Sequence, residues 1–262
     1  MPEGHLIHHF ARQHAAALDG RRVHVSSPQG RFVDADALDG CEIERVEAWG
    51  KHLFYAFAQE TIVHVHLGQR GLFVHAVPPA PAARPQVRMR IEGPTLVVDL
   101  IAPRTCERIR LGDRERIIAA LGPDPLRPGA DPRRAREAIA RSSRPIGALL
   151  LDPSIIAGVG NVLRAEALSI ARLDPTLPGR ALSRDEFDAL WTVLGDMMAL
   201  AAERGRIITR APLPEGMTPE SVPEAEARYV YKQAHCRRCN TPVHRAQVGG
   251  RTLYSCPFCQ RR

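Results

Sequence analysis

Lysine is almost missing from this 262-residue chain: Lys51 and Lys232 are the only two among 36 basic residues, and the other 34 are arginine. Such a bias is the kind a coding genome imposes. A lysine kept against it hints that a compact, titratable amine is wanted where a planar guanidinium would not serve, which singles out Lys51. Long apolar runs are missing as well. No stretch approaches the roughly 18 uninterrupted apolar residues of a membrane span, and the opening MPEGHLIHHFARQ lacks the basic-then-apolar layout of a secretory signal. A soluble, cytoplasmic protein is the expectation. Finally, acid is missing from the end of the chain. No Asp or Glu follows Glu226, while Arg228, Lys232, Arg237, Arg238, Arg245, Arg251, Arg261 and Arg262 supply eight of the positive charges, so the rest sums to −1 of a net +7. A basic module on a nearly neutral body suits a polyanion, with nucleic acid ahead of membrane because no amphipathic basic helix accompanies it. A solvated basic tail is the competing reading.

What is present divides the chain. Its length and 44% hydrophobic content suffice for two lobes. From Glu3 to Leu18 the residues Leu6, Ile7, Phe10, Ala11, Ala17 and Leu18 fit helical spacing, and Asp19-Gly20 ends that helix. From Arg22 to about Leu111 short Val-, Ile- and Phe-rich segments (RRVHV, CEIERVEAW, HLFYAF, TIVHVHL, GLFVHAV, VRMRI, TLVVDLI, ERIRL) alternate with Gly, Pro and Asp turns, as in a β-sandwich or barrel. Helical stretches follow at Arg114 to Leu121, Pro132 to Ala140, Ile146 to Leu151, Asn161 to Ile170 and Arg184 to Arg204. The fold class is α+β: residues 1–121 form a β-rich domain, 122–131 a Pro- and Gly-rich linker, 132–227 a helical domain and 228–262 a terminal module. Residues 78–85 read as a solvent loop and 211–227 as a flexible connector.

Cys236-x-x-Cys239, sixteen residues, then Cys256-x-x-Cys259 has metal spacing. Two such knuckles complete a tetrahedral shell of thiolates with no open position, so one structural zinc is expected, standing in for a core that so few residues could not build. Two disulfides are the alternative, and a reducing compartment argues against them. Between the pairs, Thr241 to Val248 and Arg251 to Tyr254 flank Gly249-Gly250, a β-hairpin pattern with Arg251 just past the tip. Cys41 and Cys106 have no partner at useful spacing and read as structural.

Pro2 carries candidate chemistry. A small second residue lets the initiator methionine be removed, exposing a secondary amine that is partly neutral near pH 7. Its attack on a sugar C1′ gives, after departure of the base, an iminium with no N–H to lose, an electron sink for β-elimination. Glu3 is adjacent and suited to acid or base work. The plainer reading is a helix start, with Pro and Glu in the first turn. Gly160-Asn161 opens a helix where backbone amides form a phosphate site, although a capped helix needs no more than Asn there.

The chain resembles the formamidopyrimidine-DNA glycosylase and endonuclease VIII family of DNA repair enzymes. The resemblance rests on PEG at Pro2 to Gly4, GKHLF at Gly50 to Phe54, LGPDPL at Leu121 to Leu126, LLLDPSIIAGVGNVLRAEAL at Leu149 to Leu168, and the Cys236 to Cys259 finger with GGR before its last pair. It implies a β-sandwich lobe, a helix-two-turn-helix lobe and a zinc-finger hairpin. It also implies a monomer acting on double-stranded DNA that carries oxidised bases or abasic sites. The roles implied are nucleophile for Pro2, acid or base for Glu3, phosphate contacts for Lys51, Asn161 and Arg251, and filling of the flipped base's place by Gly68, Gln69 and Arg70. Arg70 departs from the bulky apolar filler often found, and His5 from a common proline. PEG together with GQRG resembles the endonuclease VIII branch, which favours oxidised pyrimidines. Histidines 5, 8, 9, 64, 66 and 75 read as packing or a DNA-facing surface. A non-catalytic zinc-finger protein that binds damaged DNA and a lyase confined to existing abasic sites are the alternatives.

Overall fold

The computed structural model describes residues 2–261. Met1, whose removal the Pro2 chemistry requires, and Arg262 lie outside the described residues. The chain falls into two compact units, the first ending at Ala120 and the second starting at Leu121.

In the first unit, α1 (Gly4–Leu18) buries Ile7, Ala11, His14 and Leu18, which recur at three- and four-residue steps along one face. The strands are β1 (Arg21–Arg22), β2 (His24–Ser26), β3 (Glu42–Trp49), β4 (His52–Phe57), β5 (Thr61–His66), β6 (Leu72–Ala76), β7 (Val87–Glu92), β8 (Val97–Ile101) and β9 (Thr105–Arg110). They form two antiparallel sheets, ordered β1-β3-β4-β5-β9 and β2-β7-β8-β6. One continuous core takes Ile43, Leu53, Tyr55 and Val63 from the first sheet, Val25, Met89, Ile91 and Leu100 from the second, and Ile7 and Leu18 from the helix. Of the sandwich and barrel patterns, the sandwich is the one adopted.

Local details differ from the sequence pattern. RRVHV reads as one strand, yet β1 pairs with β3 and β2 with β7, because the chain changes sheets at Val23. Short α2 (Ala35–Leu38) carries too few residues for a periodic signal. The helix expected from Arg114 is α3 (Leu111–Ala119), starting three residues earlier, where Asp113 accepts the backbone N–H of Arg110 at 3.1 Å and caps the first turn.

The second unit packs α4 (Arg133–Ala140), α5 (Ile146–Leu149), α6 (Asn161–Ile170) and α7 (Arg184–Arg204) around Leu149, Leu163, Leu168, Phe187 and Leu194. Helix α7 has the expected bounds, set by a capping box in which Glu186 N–H donates to the Ser183 hydroxyl at 3.2 Å and the Ser183 N–H to the Glu186 carboxylate at 2.7 Å. Gly205, at φ +70, ends it. Gly122 donates to Pro153 O at 2.8 Å, and a Cβ there would stand 2.2 Å from Ile155 O, so LGPDPL is seated against residues 153–157.

Residues 211–227 have no helix or strand but are tied down rather than flexible. Thr209 and Arg210 N–H groups donate to Ala227 O, Arg206 donates to the Glu220 and Val222 carbonyls, and Val222 is buried. The last two strands form a hairpin, β10 (His244–Val248) and β11 (Arg251–Ser255), with Cys256 and Cys259 after it.

Candidate functional site

Pro2 is half-buried and leads into Glu3, which is fully buried and holds the N-cap position of α1 with an extended backbone. The Glu3 carboxylate does not cap the helix. Residue 2 is thus followed directly by a carboxylate removed from water, a group of the kind that proton transfer uses.

Lys51 sits in the two-residue turn between β3 and β4, closed by the pair Trp49 and His52. Gly50 takes φ +56 there, the conformation that a tight hairpin of this class requires at its first central residue. Beneath the turn runs a chain of imidazoles. Glu107 accepts from His64 Nδ1 at 3.1 Å, which leaves His64 Nε2 to accept from His52 Nδ1 at 2.9 Å. Burial, then His64, His66 and Lys51, hold the His52 pKa down to about 3.

The loop from β5 to β6 presents Gln69 and Arg70, both exposed. Gly68, at φ +68, donates its N–H to His66 Nδ1 at 3.0 Å, and its missing Cβ would stand 2.8 Å from Arg104 Cβ. A Cβ on Gly71 would stand 2.3 Å from Leu67 O. Both glycines are therefore needed to raise the two polar side chains. The remaining histidines of this unit include His14, buried between Tyr55 OH at 2.7 Å and His75 at 2.8 Å, its pKa lowered to about 3 by burial and then by His75 and His9.

In the second unit the four predicted cysteines come together, all Sγ atoms lying within 4.8 Å of one another. Cys239 stands 3.4 Å from both Cys256 and Cys259. Four thiolates around a zinc at about 2.3 Å would be separated by about 3.8 Å, so the cluster fits a tetrahedral ion. The arrangement is a metal-binding centre of sulfur donors alone.

Asn161 and the hairpin that carries Arg251 are also brought together. The N-cap of α6 is Gly160 and Asn161 is its first helical residue. The Asn161 amide reaches across to donate to Thr252 O at 2.9 Å and accepts from Arg164. Arg251 is half-buried and faces Val248 across Gly249-Gly250, whose φ values of +64 and +72 only glycine or a few polar residues tolerate. Arg245 lies over the Tyr254 ring at 5.6 Å, and Arg228 and Lys232 over Tyr231 at 5.5 and 5.8 Å, giving the finger cations against aromatic faces.

Sequence reasoning gave Arg164 and Glu166 no role, and both are completely buried. Glu166 accepts the backbone N–H groups of Tyr229 at 2.8 Å, Val230 at 2.9 Å and Tyr231 at 2.7 Å, along with the Thr209 hydroxyl. A usable signal existed: two residues apart on a helix point to different sides, so a helix reading VLRAEAL cannot turn both charges to one solvent face. Among the described residues no helix is long and apolar enough to cross a membrane.

Residues 1–109 match the family model described as the formamidopyrimidine-DNA glycosylase N-terminal domain, and residues 121–212 match the formamidopyrimidine-DNA glycosylase H2TH domain. The chain is 45% identical to the protein named Endonuclease 8 1 of Mycobacterium tuberculosis, over 99% of this chain and 100% of that one. It is 33% identical to the Formamidopyrimidine-DNA glycosylase of Thermus thermophilus, over 90% and 89%. The solved complex between the Lactococcus lactis Fpg and an abasic site containing DNA aligns over 99% of this chain and 100% of that one with a TM-score of 0.80, at 20% identity, a likeness of fold.

Proposed function

The chain belongs to the formamidopyrimidine-DNA glycosylase family, and on that footing we propose that it is a bifunctional DNA glycosylase and abasic-site lyase of base excision repair. Its substrate is double-stranded DNA carrying an oxidised base, a pyrimidine in the first instance, or an abasic site. The preference for pyrimidines follows the higher identity to Endonuclease 8 1 than to the Thermus glycosylase. The observation that carries the reading is Glu3, a carboxylate with no exposure one residue after Pro2 at the mouth of α1.

The chemistry uses this chain's own groups. With Met1 removed, the Pro2 nitrogen attacks C1′ of the flipped nucleotide and the glycosidic bond breaks. The base leaves with a proton, and Glu3 is the group placed to supply one. Once the nitrogen has given up its proton, the lone pair opens the sugar ring: the C1′–O4′ bond breaks, O4′ takes up a proton, and the iminium that remains has no N–H to lose. Loss of a C2′ proton to a base then drives the 3′ phosphate out, and hydrolysis returns the free amine. Lys51 supplies a cation from a rigid turn, Asn161 the head of α6, and Arg251 the hairpin tip, each toward backbone phosphates. Gln69 and Arg70 fill the place the flipped base leaves.

The ion at Cys236, Cys239, Cys256 and Cys259 is one zinc with a structural role, since four thiolates leave no open position and bind a borderline-soft cation well. The protein works as a monomer in the cytoplasm, at the nucleoid.

Base release from a duplex containing an oxidised pyrimidine tests this. Wild type frees the base and nicks the strand, Pro2→Gly slows both, and Glu3→Gln abolishes release from the intact lesion. A chain that nicks abasic DNA yet releases no base is a lyase alone, and one that does neither is a binding protein.

A further inference from the structure

We propose that Arg164 is a positioning residue: from inside the second unit it clamps the hairpin backbone on both sides of Gly249-Gly250-Arg251 and so sets where the Arg251 guanidinium stands. The inference rests on the proposed contact between Arg251 and DNA phosphate.

Two glycines at the turn give the hairpin tip little stiffness of its own. Gly250 has open space where a Cβ would be, while Gly249 leans on Ala148, whose Cα lies 3.4 Å from the position of that missing Cβ. Stiffness must come from outside the turn. Arg164 supplies it at zero exposure: Nη1 donates to Val248 O at 2.8 Å and to Gly147 O at 3.0 Å, and Nη2 donates to the Asn161 side-chain oxygen and to Thr252 O at 3.4 Å. Asn161 Nδ2 adds a second donor to Thr252 O at 2.9 Å. Val248 and Thr252 are the residues on either side of the tip. One planar fork therefore holds both shoulders of the hairpin to α5 and α6.

Burying a guanidinium is unfavourable unless it finds acceptors, and here the two terminal amino groups find them at fixed positions, in the Gly147, Val248 and Thr252 carbonyls and the Asn161 side-chain oxygen. The dependence runs both ways. If the hairpin slips, the buried cation loses acceptors, so displaced tip positions are disfavoured. A lysine keeps the buried charge and the stem, but its ammonium lacks the fork needed to reach Gly147, Val248 and Thr252 carbonyls together.

The test compares Arg164→Lys, Arg251→Ala and the double variant of the full metal-loaded protein on a lesion duplex. Arg164→Lys is expected to keep its metal content and to raise KM about tenfold while kcat changes less than twofold, with amide exchange quickening at residues 248–252. In the Arg251→Ala background the same change should add nothing, because coupled residues lose their effect once. Multiplying effects, an unchanged KM, or loss of metal from Arg164→Lys overturns the proposal, the last by assigning Arg164 to holding the whole finger. An Arg251→Ala protein with unaltered KM instead removes the phosphate contact on which the inference stands.

Discussion

The β-sandwich and the finger solve the same problem of order by opposite means. The sandwich closes around Ile43, Tyr55, Met89, Leu100 and their neighbours, a large apolar core in which burial of each side chain contributes about 1.5–3 kcal/mol. Among the described residues the finger has a small buried apolar cluster, Tyr229, Val230, Cys236 and Cys256 with Ala165 of α6, and Leu253 is buried as well. It relies on four thiolates, on Glu166 holding residues 229–231, and on Arg164 and Asn161 holding the hairpin. The difference teaches that one region should fail gradually, by loss of packing, and the other abruptly, by loss of a few polar partners.

The largest expected effect comes from removing the zinc proposed for the four cysteines. Chelation or Cys256→Ser should abolish the finger fold and DNA affinity together, since a structural zinc site supplies about 10–16 kcal/mol, while melting of the first unit stays where it was. DNA binding that survives metal loss breaks the comparison at its root. Next is Glu166→Ala, which strands three backbone N–H groups and should cost about 3–5 kcal/mol, read as faster proteolysis within residues 205–262. Glu166→Gln, which keeps an acceptor oxygen, should lose about half as much. In the sandwich, Leu100→Ala should cost about 2–5 kcal/mol by leaving a cavity, with metal content unaltered.

Acid sharpens the contrast. The buried His14 and His52 have folded pKa values lowered to about 3 from 6.5, by burial first. A depressed folded pKa means that the unfolded chain takes up the protons, so their contribution is complete above pH 6.5 and is lost as pH falls toward 3. Both histidines of the second unit, His235 and His244, are exposed. Hydrogen exchange should therefore loosen strands β4 and β5 and helix α1 over that window, and an unchanged pattern there would count against buried neutral imidazoles. The smallest effect is that of Arg251→Ala, which should reduce the salt slope of DNA binding by about one. No change in slope places Arg251 away from phosphate.

What could be read in advance follows from how local each cause is. Helix α7 was legible to the residue because Ser183, Glu186 and Gly205 act within a turn of its ends. The hairpin was legible because cysteine spacing and a Gly-Gly turn are written in adjacent residues. The switch of sheets at Val23 was not, because it depends on β3 and β7, which come much later in the chain. Residues 211–227 looked like a free connector by composition, and their anchorage depends on Arg206 and Ala227. At the site, Pro2, Glu3 and the cysteines stood out by type and spacing. Arg164 and Glu166 did not, since their partners lie 63 to 88 positions away for the hairpin and for residues 229–231.

Borohydride trapping on a duplex carrying an oxidised pyrimidine reads the chemistry of Pro2 itself, because it freezes the iminium as a stable amine linkage. The expected result is a covalent adduct that maps by mass spectrometry to residue 2 and disappears when Met1 is retained. An adduct mapping to Lys51 or Lys232, or no adduct on either the lesion or a preformed abasic site, would contradict it.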